Sequence, residues 1–198
     1  VVKVLRTTSR TLPHQLARVT LADVIQAMRD ARDLMNHNGR HWIQGAERAN
    51  IRDSDFNLVY EEIEGKRKVA VGFCSIGGLK EAIPTGIDFA YYIALIELAR
   101  DISPEDFDSY VHDVLENYMD WKPTQAKWDK ISESVLVIAL GEECENIVIN
   151  FNDDEGTTWP MVRSRFTRTA DRLRKRKAIP AYKQLFEAEA QARIAEYA

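Results

Sequence analysis

Apolar positions recur at helical spacing over most of the chain and at strand spacing in two short stretches. Leu21, Val24, Ile25, Met28, Ala31 and Met35 fall on one face and predict a first helix from Thr20 to a C-terminal cap at Gly39. Thr20 and Asp23 form a capping box, in which the hydroxyl accepts a first-turn amide while the carboxylate reaches back. A second helix follows Cys74, carries Ile76, Leu79, Ala82 and Ile83, and ends at Pro84, whose ring disfavours helical geometry in the residue before it. A third covers Asp88 to Asp101 with Ala90, Tyr91, Ala94, Leu95 and Leu98 facing inward.

Ser103-Pro104-Glu105-Asp106 restarts the helical pattern, since serine caps, proline fits the first turn and the acids suit the dipole. The fourth helix then has the stripe Phe107, Val111, Val114, Leu115, Tyr118 and Trp121. Thr124 opens a fifth with Trp128, Ile131, Val135 and Ile138 or Ala139, closing at Gly141, although Val135 to Ile138 also reads as a strand. A sixth begins at Trp159-Pro160 and buries Val162, Phe166, Ala170 and Leu173. Beyond Pro180 a last helix offers Tyr182, Leu185, Phe186, Ala190, Ile194 and Tyr197 to its own domain or to another chain.

The pattern changes between Asn57 and Phe73. There Leu58-Val59-Tyr60 and Val69-Ala70-Val71 flank Glu64-Gly65-Lys66 and predict a β-hairpin. Ile147-Val148-Ile149-Asn150-Phe151 is β-branched and bounded by polar residues, which predicts a buried strand running into the turn Asn152 to Thr158. The fold class expected is α+β, predominantly α-helical. Residues 1–19 form an arm, 20–178 one compact domain and 179–198 a C-terminal helix. The Cys74 helix is the expected packing centre, because a glycine pair, Gly77-Gly78, costs roughly 1 kcal/mol per residue against alanine in a helix unless another backbone comes close.

Composition narrows this little. The chain has 198 residues, 45% hydrophobic and 29% charged, enough for one core and ordinary for a globular protein. Its net charge of -4 gives no overall pull towards nucleic acid. Two cysteines, Cys74 and Cys144, are too few for a disulfide framework, the first residues do not read as a signal peptide, and the cytoplasm is the expected compartment. No apolar run approaches the roughly 20 residues that span a bilayer.

Candidate chemistry is sparse. Cys74 opens a helix whose amides and dipole favour a thiolate, and His41 with Asp153 or Asn152 would be its base and orienting group in a cysteine-dependent hydrolase or transferase. Burial as a small hydrophobe is the competing role for that thiol. Asn152, Asp153, Asp154 and Glu155 offer oxygen ligands but lack the spacing of a calcium loop, so capping is expected of them and no metal. Arg165, Arg168 and Arg172 share a face of the basic stretch 162–177, as phosphate contacts would require, without aromatic residues for base stacking. Gly72 and Gly77-Gly78 complete no phosphate loop or dinucleotide fingerprint, and no cofactor is expected.

Three motifs in order, Trp42-Ile43-Gln44-Gly45-Ala46, Cys74-Ser75-Ile76-Gly77-Gly78-Leu79 and Phe151-Asn152-Asp153, resemble those of an uncharacterised small domain family of actinobacteria and their bacteriophages. The resemblance spans roughly Thr20 to Arg176, poorly between Ile83 and Asn146. Phe151 stands where that family usually has tryptophan, and Gly78 where it usually has alanine. It implies an architecture and a phage or actinobacterial setting, but no mechanism. Gln44 and Asn152 are expected to hydrogen-bond beside Trp42, which would make Trp42, Gln44, Gly45, Gly77, Asn152 and Asp153 a structural lock. The function expected is that of a non-enzymatic interaction protein, a phage-encoded accessory factor binding a host or viral protein or its own copy through residues 182–197.

Overall fold

The computed structural model describes residues 18–36, 41–63, 65–83, 88–119 and 122–197. The expected arm to residue 17, the Gly39 cap, the Pro84 stop and Trp121 lie outside them. The fold is α+β and mostly α. Among the described residues there are eight helices, α1 Leu21–Asn36, α2 Ser75–Ala82, α3 Asp88–Ile102, α4 Pro104–Met119, α5 Gln125–Lys130, α6 Glu133–Asp153, α7 Trp159–Arg174 and α8 Lys183–Tyr197. Four short strands, β1 Arg48–Asn50, β2 Tyr60–Ile63, β3 Lys66–Val69 and β4 Val71–Phe73, form two antiparallel pairs, β1 with β4 and β2 with β3. None of these helices is long and apolar enough to cross a membrane.

The start of α1 is as the sequence predicts: Asp23 N–H donates to Thr20 Oγ1 at 3.2 Å, and Thr20 N–H donates to Asp23 Oδ2 at 2.7 Å. Its buried face carries Val24, Ile25, Met28, Ala31 and Met35. The hairpin also forms, with Tyr60 opposite Val69 and Lys66 opposite Ile63 across a turn in which Gly65 has φ +70°. From there β4 leads straight to the Cys74 N-cap of α2.

The packing centre lies one helix later than expected. α3 is buried on all sides from Ile93 to Ala99 and packs on α1, α2, α4, α6 and α7. A helix apolar all round belongs in a core, whereas α2 has too few residues to hold several layers. In α4 the inner stripe is Phe107, Val111, Val114, Leu115 and Met119, while Tyr118, counted as inward from sequence, is exposed.

The largest departure is α6. The expected fifth helix breaks at Ile131, Ser132 caps a new one through the Val135 amide, and this helix runs through Gly141 to Asp153. The predicted strand at Ile147 to Phe151 is its last part. Ile147 and Val148 are buried on one side and Ile149 faces out, a helical pattern in which packing overrides the strand preference of β-branched residues. The last helix, α8, packs on α4, α5 and α6 and buries Phe186 and Ala190, with Tyr182 before it. Of the stripe offered to its own domain or to another chain, Tyr182, Phe186 and Ala190 are therefore covered by its own domain, while Tyr197 is 63% exposed.

Candidate functional site

The three motif segments meet at Asn152, which is 1% exposed at the last turn of α6. Its Oδ1 accepts from Trp42 Nε1 at 2.9 Å, from the Ser75 amide at 3.1 Å and from Ser75 Oγ at 2.9 Å. Its Nδ2 donates to the Ile43 carbonyl at 3.2 Å and to Asp153 Oδ1 at 2.8 Å. The Ser75 amide is the first of α2 and has no partner within its own helix, so Asn152 caps α2 from another element. Gln44 does the converse for α6, donating from Nε2 to the carbonyls of Asn152 at 2.7 Å and Asp154 at 2.9 Å. The expected lock is present, and its chemistry is reciprocal helix capping.

Two glycines let the backbones close up. Gly45 has φ +74°, and its amide donates to Asp153 Oδ1 at 2.9 Å. A Cβ on Gly77 would stand 1.7 Å from the Glu47 carbonyl oxygen, which lies across the first turn of α2 and accepts from the Cys74 amide at 3.2 Å. Trp42, Gln44, Gly45, Gly77, Asn152 and Asp153 thus form one polar joint between the β-strands, α2 and α6.

Cys74 sits in this joint as an N-cap. Its Sγ accepts from the Gly77 amide at 3.4 Å, and the residue is 6% exposed. Burial pushes the thiol above its ordinary value, the amides of Gly77 and Ile76 pull back less strongly, and the Asp153 and Glu47 carboxylates add to the rise. The thiolate expected from the helix N-terminus is thus opposed by desolvation and by two acids. A cleft of about 190 Å³ beside the sulfur is lined by Glu47, Ile149, Asn152 and Asp153, of which the two acids repel an anion and Asn152 is already engaged by Trp42, Ser75 and Ile43. His41 pairs through Nε2 with Glu61 Oε1 on β2 at 2.7 Å, and Asp153 is engaged by Gly45 and Asn152. Cys74, His41 and Asp153 are held by different partners and make no shared hydrogen-bond chain in these contacts.

The arginine face of α7 pairs with acids of α3, with Arg165 and Arg172 partly buried and Arg168 still exposed. Arg165 donates to the Asp101 carbonyl at 2.6 Å, Arg168 to Asp101 Oδ2 at 2.7 Å, and Arg172 to the Glu97 carbonyl at 2.7 Å and Oε2 at 3.1 Å. Glu97 is fully buried, and its Oε1 also accepts from Arg176 Nη1 and Tyr182 Oη, each at 3.0 Å. The guanidinium groups chosen from sequence as phosphate contacts are spent on a carboxylate network. The readable sign was Glu97 itself, an acid set among Ile93 to Ala99 that requires a cation if buried.

Among the described residues, the side chains whose ligand atoms converge enough for a metal are His112, Asp113 and Glu116, all exposed. His112 is already paired with Glu189 and lies against Arg193, a cation that disfavours a second one. Asp154, from the acidic turn, accepts from the Gly156 amide at 2.6 Å and closes the turn, while the expected capping of α7 is absent: its N-cap, Thr158, makes no side-chain cap hydrogen bond.

One feature escaped sequence reading. Phe56 is 79% exposed with φ +62°, in the loop that joins β1 to β2. Its sign in the sequence is an aromatic residue alone among Arg52, Asp53, Ser54, Asp55 and Asn57, with no helical or strand-like neighbour to share a face. Nearby Tyr60 is 46% exposed and carries the Arg67 guanidinium 4.4 Å from its ring centre. Comparison of the chain with family models, with curated proteins and with solved structures gives no match.

Proposed function

We propose that the chain is a non-enzymatic interaction protein, an accessory factor that acts by docking on another protein chain, in the phage or actinobacterial setting that its motifs imply. The observation that carries this reading is Phe56, a large apolar ring held almost wholly in water by a left-handed backbone that non-glycine residues rarely adopt. Such strain costs of order 1–3 kcal/mol and is retained where the surrounding structure and a use for it require it. Aromatic residues, Phe among them, are enriched at the cores of protein interfaces.

This reading moves the docking surface from residues 182–197 to the Phe56 loop, because Tyr182, Phe186 and Ala190 are buried in their own domain. Cysteine hydrolase chemistry loses support in the desolvated Cys74 thiol, and nucleic-acid contact loses it in the ion pairs of Arg165, Arg168 and Arg172. The test is a photo-crosslinking side chain placed at position 56, in cells that express the chain, with position 146 as control. A discrete protein adduct is expected at 56 and not at 146. Unlabelled wild-type chain competes it away while F56A does not. No adduct at 56, or one that F56A competes equally well, overturns the reading.

A further inference from the structure

The β2–β3 ribbon is unfinished as a sheet. The two strands pair with each other alone, and neither joins the β1–β4 pair. They also pack chiefly on one another. A lone two-stranded ribbon is marginal in water, and a third strand or a helix beneath it is what such a ribbon ordinarily needs. Lys66, Arg67 and Lys68 on β3 are exposed, as are Tyr60 and Glu62 on β2.

The ladder decides which backbone groups the two outer edges offer. At the base of the ribbon, one step below the pair Tyr60–Val69, the Ala70 amide donates to the Val59 carbonyl at 2.8 Å. Hydrogen-bonded pairs alternate along an antiparallel ladder, so the amides of Lys68 and Lys66 turn inward to β2, while those of Arg67 and Val69 turn outward. By the same alternation Glu61 turns its amide to β3, and Tyr60 and Glu62 turn theirs outward. Among the described residues, no other segment hydrogen-bonds to these outward groups.

The side chains restrict what fits there. β3 carries Lys66, Arg67 and Lys68, and β2 carries Glu61 and Glu62. Two β3 edges side by side, or two β2 edges, would set like charges against each other. An acidic strand suits β3 and a basic strand suits β2. Among the described residues Glu61 pairs with His41, whereas Glu62, Lys66 and Lys68 have no ion-pair partner. The register fits as well. Within the chain Glu62 stands opposite Arg67 and Tyr60 opposite Val69, and these four are the residues whose amides turn outward. Pairs that lack ladder hydrogen bonds inside one chain can therefore make them between two chains in the same register.

We infer that the outer edge of β3 in one copy takes the outer edge of β2 from a second copy, antiparallel, with Arg67 opposite the second copy's Glu62. Two ribbons then make one four-stranded sheet in which basic and acidic strands alternate. The contact is heterologous, so each end of the sheet keeps one open edge. These edges are separate from the Phe56 ring, and the failure of this pairing leaves the reading above where it stands.

Sedimentation velocity of the full chain over a concentration series tests it. R67P removes the outward N–H of β3 and E62P that of β2, each at an edge position where proline spares the ladder inside the chain. Wild type is expected to form oligomers that grow with concentration and shrink as salt rises. Each variant alone is expected to associate at least about tenfold more weakly, with an unchanged circular dichroism spectrum. Mixed together, the two variants retain one β2 edge and one β3 edge between them and are expected to give a 1:1 dimer that grows no further. A substitution that merely unfolds the ribbon gives no such rescue. A wild-type chain that stays monomeric, association that survives either substitution, or a mixture that stays monomeric overturns the inference.

Discussion

At the scale of single residues, Asn152 is where the largest effect of one side chain is expected. Replacing it with alanine strands the Trp42 indole, the Ser75 amide and the Ile43 carbonyl in a buried joint, each at about 1–3 kcal/mol. N152A should lower the unfolding free energy by about 3 kcal/mol or more in urea denaturation, and N152D should not rescue it, because a carboxylate cannot donate to Ile43. Cys74 is expected to behave oppositely. C74A should cost only about 1 kcal/mol, for one weak sulfur acceptor and a small apolar contact. Alkylation of native Cys74 should be slow and should keep rising above pH 9.0, since the thiol is pushed above that ordinary value. A plateau near neutral pH would revive the nucleophile. The residues of the joint were legible through the three motifs and the hydrogen-bonding capacity of Gln44 and Asn152 beside Trp42, whereas their part as caps of α2 and α6 depends on which helix ends meet. The protonation of Cys74 was not legible, because a helix N-terminus and the burial opposing it act on the same atom, and only the packing decides between them.

At the scale of elements, the helices with one apolar face and a capping residue were readable, and α6 was not. Its 21 residues span about 30 Å, and its glycine lies mid-helix where a stop was expected. The reason for Gly141 is across the interface: a Cβ there would stand 2.6 Å from Tyr92 Cδ1 on α3. Period alone cannot distinguish a glycine that ends a helix from one that admits a neighbour. Gly77 meets backbone where Gly141 meets a side chain, and the two should respond differently. G77A has nowhere to go, since the Glu47 carbonyl oxygen lies 1.7 Å from the new carbon, and moving it breaks its contact with Cys74. A loss of at least about 3 kcal/mol is expected, in the class of severe overpacking. In G141A the new carbon would also stand 2.8 Å from Tyr92 Cβ, which no turn of the ring relieves, but this overlap is milder than that at Gly77 and a gain of about 1 kcal/mol in helix propensity offsets part of it. Paired thermal melts check the order, and equal losses would contradict it.

At the scale of the whole molecule, the basic stretch and the last helix are parts of one arrangement closed around Glu97. Separately, 162–177 reads as a phosphate-binding face and 182–197 as a free amphipathic helix. Together they bring Arg172, Arg176 and Tyr182 to one buried carboxylate, a long-range pairing that no local pattern encodes. Removing residues 180–198 should therefore unfold or strongly destabilise the domain, because it uncovers Trp128 and takes one donor from Glu97. A truncated chain with the wild-type melting temperature would refute this. The same closure predicts how stability depends on pH. Tyr182 is pushed up by burial, then by the charge of Glu97; Tyr91 by burial, then by Glu145; and both cysteines by burial first. Each group keeps its proton longer folded than unfolded. Its contribution is fully present below the unfolded value, 9.0 for the thiols and 10.0 for the phenols, and is lost as pH rises beyond it towards the folded one. The unfolding free energy should accordingly be flat with respect to these groups near neutrality and fall steadily above about pH 9. Y182F should flatten that fall by removing one phenol while keeping the ring in the core, at about 1–2 kcal/mol for the lost hydrogen bond to Glu97. Urea midpoints at neutral and alkaline pH measure both effects, and an alkaline slope unchanged in Y182F would show that Tyr182 is not among the groups that drive it.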